Sequence, residues 1–241
     1  MKWPVASVTR LIHGLLPAAS CRLFVVLAFP AVTALTEETC RKATRHLVRV
    51  DPVMAGLVRR HQPCPLGRRP AEPPLRALVR ALVSQQLSVK AAETIFRRFL
   101  ALFPGDGFPA PGAILAVTPE QLREVGLSRP KGRYLRDLCD RLEAGLLPLD
   151  RLDSMPDEEV VRVLTEVKGI GQWTAEMILI FQLGRPDVLP LDDVGLLRAI
   201  QRVYRLRSRP TAARVERIAE PWRPYRSVAC WYLWASLDEQ P

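Results

Sequence analysis

The sequence predicts an all-α protein of about ten short helices. Three observations carry this. Apolar residues recur at helical spacing along most of the chain after Thr36. Several of these stripes open on Ser, Thr or Asp, the residues that cap helix N-termini. Runs of alternating polar and apolar residues, the mark of a half-buried strand, are scarce, and no repeat of solenoid period is visible.

Taken in order, Thr36 caps a first helix running to Val50, with Thr39 too weak an acceptor to complete a capping box. Asp51-Pro52 restarts the chain into a second short helix. Pro63 to Pro74, rich in Pro and Arg, reads as a loop. Leu75, Leu78, Val79, Leu82 and Val83 form one apolar stripe, and Ser88 caps the next helix, with Ala92, Ile95, Phe96, Phe99 and Leu100 on its inner face. Phe103 to Gly112 is a turn-rich connector. Thr118-Pro119-Glu120 is a strong helix start, Gly126 ends that helix, and Ser128 opens another carrying Tyr134, Leu135, Leu138 and Leu142. Ser154 or Asp157 begins a helix with Val160, Val163, Leu164 and Val167. The segments from about Gly171 to Leu183, Asp193 to Tyr204, Thr211 to Ala219 and Pro224 to Ser236 are again helical.

Residues 1–35 differ from the rest. Leu23 to Leu35 is apolar throughout, like the core of a signal peptide, yet it is too short to span a bilayer, and His13, Arg22 and the internal Pro17 and Pro30 of the tail spoil both readings. A start assigned upstream of the natural one, leaving an atypical or disordered tail, explains this better than an export signal. The expected division is therefore a tail, 1–35, and one domain, 36–241, whose N- and C-terminal helices form one lobe and residues 75–190 the other.

The 241 residues carry 35 Lys and Arg against 25 acids, a formal +10. All but five of the cations are Arg, whose planar fork suits phosphate. A basic surface attracts polyanions, although an Arg-preferring genome gives the same balance. Five scattered cysteines without CxxC or Cys/His clusters argue against structural zinc, an iron–sulfur cluster and a disulfide framework. Reduced thiols in a cytoplasm, here around the nucleoid, fit better.

Val167 to Glu176 reads VKGIGQWTAE. Gly169 and Gly171 permit positive φ and leave no Cβ in the way, and a second helix starts near Gln172. Unpaired N–H groups at that start, beside the positive end of the helix dipole, suit a phosphate held without reading sequence. Alone, a GxG between helices is more often only a tight turn. Sixteen residues after Trp173 comes Leu189-Pro190-Leu191-Asp192-Asp193, then an apolar helix. Two further segments, SQQLSVKAA (84–92) and GLSRPKGRYL (126–135), and Pro221-Trp222-Arg223-Pro224-Tyr225-Arg226-Ser227-Val228-Ala229 complete the set.

With these motifs in this order, the chain resembles the helix-hairpin-helix DNA glycosylase superfamily. Within it the chain is similar to the bacterial 3-methyladenine DNA glycosylase II family, in a compact all-α branch. The resemblance spans about Thr36 to Leu237 and implies a two-lobed helical fold with a cleft between lobes. It also implies a monofunctional enzyme that flips alkylated bases, of the 3-methyladenine and 7-methylguanine type, from damaged double-stranded DNA and hydrolyses the N-glycosidic bond. Asp193 takes the essential carboxylate position, leaving Asp192 as N-cap. Trp173 stands where bifunctional relatives carry Lys, so no amine nucleophile is present there. Trp173, Trp234 and Met177 form the base pocket. Lys168, Gly169, Gly171, Gln172 and Thr174 contact DNA. Gln85, Gln86 and Leu87 supply the wedge that fills the vacated stack, with Gln86 at the family's wedge position. The backbone carbonyls of Thr165, Val167 and Ile170 match a monovalent cation site for Na⁺ or K⁺, and no other cofactor is implied. A monomer without membrane association is expected. Two rivals remain: a non-catalytic helix-hairpin-helix clamp on duplex DNA, and a glycosylase for oxidised or mismatched bases, which would want Lys at position 173 or an iron–sulfur cluster.

Overall fold

The computed structural model describes residues 34–68, 72–105 and 107–237. Among them are twelve α-helices, three short 3-10 turns and no strand. The unusual tail lies outside the described residues except for its last two. Those two correct the expected boundary. Leu35 is buried in the core, and its N–H donates to the Gly184 carbonyl at 2.7 Å. Gly184, with φ +64°, leaves space where a Cβ would lie 3.2 Å from the Leu35 nitrogen. The folded unit therefore starts before Thr36.

Two groups of helices share one continuous core. The first contains α1 (Glu37–Val50), α2 (Pro52–His61), α10 (Val194–Val203), α11 (Ala212–Ala219) and α12 (Arg226–Ala235). Helix α12 is central: Val228, Ala229, Cys230, Tyr232 and Leu233 are all fully buried, and it packs against α1, α2 and α10. Asp51 locks this group. One carboxylate oxygen accepts the Val53 and Met54 N–H groups and caps α2, while the other accepts from Tyr204 Oη at 2.5 Å and Trp222 Nε1 at 2.9 Å. A buried carboxylate with every lone pair aimed at a donor avoids the desolvation cost an unpaired one would carry.

The second group contains α3 (Pro74–Ser84), α4 (Val89–Leu100), α5 (Pro111–Ala116), α6 (Pro119–Glu124), α7 (Arg129–Glu143), α8 (Asp157–Thr165) and α9 (Gln172–Phe181). Helix α7 packs against α3, α5 and α6, and α9 against α8 and α3. Thr36, Ser88 and Thr118 cap their helices, Thr118 in a full capping box with Gln121. Of the two starts read for α8, Asp157 is the one observed, while Ser154 ends a 3-10 turn (Leu149–Ser154). Two details differ from the sequence reading. Ser128 makes no cap hydrogen bond, so α7 starts without one. The one-turn helix α5 and the 3-10 turn at Pro65–Arg68 were read as connector and loop, being too short for periodicity to register.

No helix among the described residues is long and apolar enough to cross a membrane.

Candidate active site and DNA interface

Helices α8 and α9 and the turn between them form the hairpin. Helix α9 has Gly171 at its N-cap and no side-chain cap, and no described backbone carbonyl accepts from Gln172, Trp173 or Thr174 N–H. These donors lie at the positive end of the helix. The two glycines play different parts, which corrects the equal roles read from sequence. Gly169 has φ +85°, and a Cβ there would lie 2.2 Å from the Tyr134 ring. Gly171 is extended, with φ −91° and ψ 174°, and nothing lies within 4 Å of where its Cβ would be. Gly169 is required by the fold. Gly171 leaves open only the solvent side, where a phosphate would approach.

The turn is fixed from α7. Tyr134 packs under Gly169. The Asp137 carboxylate accepts the Lys168 N–H at 2.9 Å and pairs with the Lys168 ammonium at 3.2 Å. Burial raises the Asp137 pKa, but the Lys168 N–H and ammonium together with Arg141 outweigh it and hold the carboxyl below its ordinary range. Lys168, expected on DNA, is thus already engaged with Asp137. Gln172 is exposed and donates to Glu176 Oε1 at 3.0 Å, and Thr174 is buried.

The expected cation carbonyls are Thr165, Val167 and Ile170. The Val167 carbonyl accepts the Ile170 N–H at 3.0 Å, while Thr165 and Ile170 carbonyls accept no backbone N–H among the described residues. Oxygen donors left over in a turn are chemistry that a hard monovalent cation accepts.

The α3–α4 turn faces the hairpin. Gln85 Nε2 donates to the Gly169 carbonyl at 2.8 Å, which occupies this candidate wedge residue in a structural bond. Gln86 is exposed at the apex in a left-handed conformation, φ +57°, and Leu87 is exposed. Lys131 of α7, which had no assigned role in the sequence, donates to the Val83 and Gln85 carbonyls, both at 2.7 Å, and so closes the end of α3. Burial lowers its pKa. Between this turn and α9 lies a cavity of about 590 Å³, lined by Ala81, Ser84, Gln85, Gln86, Leu87, Trp173, Thr174 and Met177.

Asp193 caps α10, and Asp192 beside it is exposed, so the cap role belongs to Asp193 and not to its neighbour. One Asp193 oxygen accepts the Leu196 N–H and Trp234 Nε1 at 2.8 Å; the other accepts Trp173 Nε1 at 2.6 Å. A carboxylate oxygen accepts, and every partner here donates, so all three hydrogen bonds converge on Asp193. Trp173 lines the cavity and is 45% exposed, whereas Trp234 does not line it. Trp234 packs on Phe181 in a tilted pair, ring centroids 5.7 Å apart, and its indole N–H is spent on Asp193, so it orients the carboxylate more than it forms the pocket. A Cβ on Gly195 would lie 3.2 Å from the Asp193 carboxylate, which accounts for glycine there.

The PWRPYRSVA segment holds the loop leading to Asp193. Arg226 and Arg223 bond Asp187 at 2.7–2.9 Å, Ser227 Oγ accepts the Val188 N–H at 2.9 Å, and the Ser227 N–H reaches the Pro186 carbonyl at 3.0 Å. Of six large apolar residues left exposed among the described ones, Leu87, Val89, Trp173 and Val194 lie on this α3–α4, α9 and α10 face. Glu176, which sequence reasoning passed over, is buried nearby with Oε2 unpartnered, and burial together with the charges of Asp192 and Asp193 raises its pKa.

Residues 79–224 match the HhH-GPD superfamily of base excision DNA repair proteins. The chain belongs to this superfamily. Among relatives of this HhH-GPD protein, the alkylbase DNA glycosidase-like protein mag2 of Schizosaccharomyces pombe is 34% identical over 196 residues, 80% of this chain and 92% of the relative. DNA-3-methyladenine glycosylase 1 of the same organism is 39% identical over 67% of this chain and 71% of its own length. The solved structure of the Schizosaccharomyces pombe 3-methyladenine DNA glycosylase in complex with abasic DNA superposes with a TM-score of 0.73 at 35% identity, covering 82% of this chain and 97% of that one.

Proposed function

We propose that the protein is a monofunctional DNA glycosylase that removes alkylated, cationic bases from duplex DNA. The observation that carries this is the pairing of both Asp193 oxygens with indole N–H groups, one of them from Trp173 at the mouth of a cavity sized for a base. A clamp that only held duplex DNA would need the hairpin but neither this carboxylate nor the cavity.

The N–H groups at the start of α9 take a phosphate of the damaged strand, with Gly171 admitting the backbone. The target base swings out of the stack at a cost of a few kcal/mol. Gln86 or Leu87 enters the gap, since Gln85 is tied to Gly169. In the cavity the Trp173 face meets the base, and a cationic methylpurine gains about 0.5–2 kcal/mol there. Its positive charge also makes it a good leaving group, so no general acid is required. As the bond to the sugar breaks, Asp193 stabilises the oxocarbenium-like sugar and aligns or deprotonates the attacking water. With Trp at position 173, no amine can form a Schiff base. A monovalent cation on the Thr165, Val167 and Ile170 carbonyls would stiffen the hairpin turn.

The test is a release assay on duplexes carrying 3-methyladenine, 7-methylguanine, 8-oxoguanine or a mismatch. Free methylated purine over an intact abasic strand is expected. Tight binding with no release on any duplex would favour the clamp, and release confined to 8-oxoguanine would contradict the substrate class.

A further inference from the structure

We propose that Cys40 and Cys64 form a hydroperoxide-sensitive thiol pair, a modification site that closes to a disulfide. The two are 24 positions apart and show no motif in the sequence. The fold brings them together: Cys40 lies on the inner face of α1, and Cys64 lies between α2 and the 3-10 turn Pro65–Arg68. The Cys64 thiol donates a hydrogen bond to the Cys40 sulfur, and the Gly67 N–H donates to the same sulfur. The turn is seated hard against α1, since a Cβ on Gly67 would lie 2.4 Å from the Thr36 backbone. The turn next to Cys64 is therefore seated against the helix that carries Cys40, and both thiols line one cavity.

That cavity, of about 290 Å³, also has Arg41, Arg45, Arg68 and Tyr232 in its lining. Glu37 lines it too, paired to Arg68 at 3.1 Å. The bonds from Cys64 and Gly67 hold the Cys40 thiol below its ordinary range against burial and the Glu37 charge, while the same contact and burial push Cys64 up. Cys139 and Cys230 are different. They are fully buried, and burial pushes Cys139 up to about 12 and Cys230 higher still. Cys40 is thus the thiolate-forming member and Cys64 the proton-bearing one, the division a nucleophile and its resolving partner need.

The chemistry balances with a hydroperoxide as oxidant. The Cys40 thiolate attacks one peroxide oxygen; an S–O bond forms, the O–O bond breaks, and the departing oxygen takes a proton to leave as water or an alcohol. Cys64 then attacks the Cys40 sulfenic sulfur. The S–S bond forms, the S–O bond breaks, and hydroxide leaves with the Cys64 proton as water. Two thiols lose two electrons and the peroxide gains them.

The experiment treats the full-length protein with dilute hydrogen peroxide, alkylates the remaining thiols and maps peptides by mass spectrometry. A Cys40–Cys64 linked peptide, abolished by dithiothreitol, should form about tenfold or more faster than oxidation of Cys139. In Cys64→Ser, checked for fold by circular dichroism, Cys40 should persist as a sulfenic acid trapped by dimedone. A linkage of Cys21 to either residue, no linkage at all, or Cys40 oxidising no faster than Cys139 would overturn the proposal. If Cys64→Ser does not fold, the mapping of the unmodified sequence decides alone.

Discussion

Replacing Gly169 and Gly171 separately should divide the hairpin into a part the fold needs and a part DNA needs. Gly169→Ala forces an L residue to φ +85°, at about 1–2 kcal/mol. Its Cβ would lie 2.2 Å from the Tyr134 ring, and relieving such overpacking costs about 1–3 kcal/mol more. The sum, about 2–5 kcal/mol, is a large share of a typical stability of about 5–15 kcal/mol. Gly171→Val has neither penalty, because φ is −91° and nothing lies within 4 Å. Its only cost in the free protein is a poorer N-cap, about 1 kcal/mol. Urea denaturation would read the stabilities, and fluorescence anisotropy the affinity for undamaged duplex at two salt concentrations. Gly171→Val should keep the unfolding midpoint near that of the parent and weaken duplex binding. Equal loss of stability in both variants, or full duplex affinity in Gly171→Val, would refute this division.

The product strand should stay intact, and borohydride should trap no protein–DNA adduct; a trapped adduct would show an amine nucleophile that position 173 does not supply. A chain begun at Thr36 should lose about 2–4 kcal/mol relative to one begun at Ala34, from burial of Leu35 and its bond to Gly184, and equal midpoints would contradict the placement of Leu35. Asp137 has a folded pKa below its unfolded one, so its contribution is present at neutral pH and is lost as pH falls through and below the ordinary carboxylate range. Asp137→Asn should therefore cost about 1 kcal/mol at pH 7 and little near pH 3; an equal cost at both would mean that packing, not charge, ties Asp137 to Lys168.

What could be read from the sequence was local. Thr36, Asp51, Ser88 and Thr118 cap helices because a side-chain oxygen three residues from an orphan N–H needs no tertiary partner. The hairpin was legible because its residues are adjacent in the chain, whereas Asp193 was singled out through the family resemblance and its cap role was assigned to Asp192. What depended on distant packing was not. Gly171 looks like Gly169 in sequence, and only the folded backbone and Tyr134 of α7 distinguish them. Lys131, Tyr134 and Asp137 recur every three residues on one face of α7, a polar spacing on a partly buried helix that could have flagged them. Trp234 reads as a pocket aromatic until α10 and α12 bring its indole N–H to the Asp193 carboxylate. Cys40 and Cys64 are unremarkable until a loop folds back on α1.

The central claim is that Asp193 carries the chemistry, and single-turnover base release from a 7-methylguanine duplex tests it most directly. Asp193→Asn keeps an oxygen to cap α10 but removes the charge. It should retain duplex binding while excision falls on the order of 100-fold or more. Asp192→Asn, at an exposed position, should stay within a few-fold of the parent. Excision that survives in Asp193→Asn, or that is lost instead in Asp192→Asn, would contradict the account.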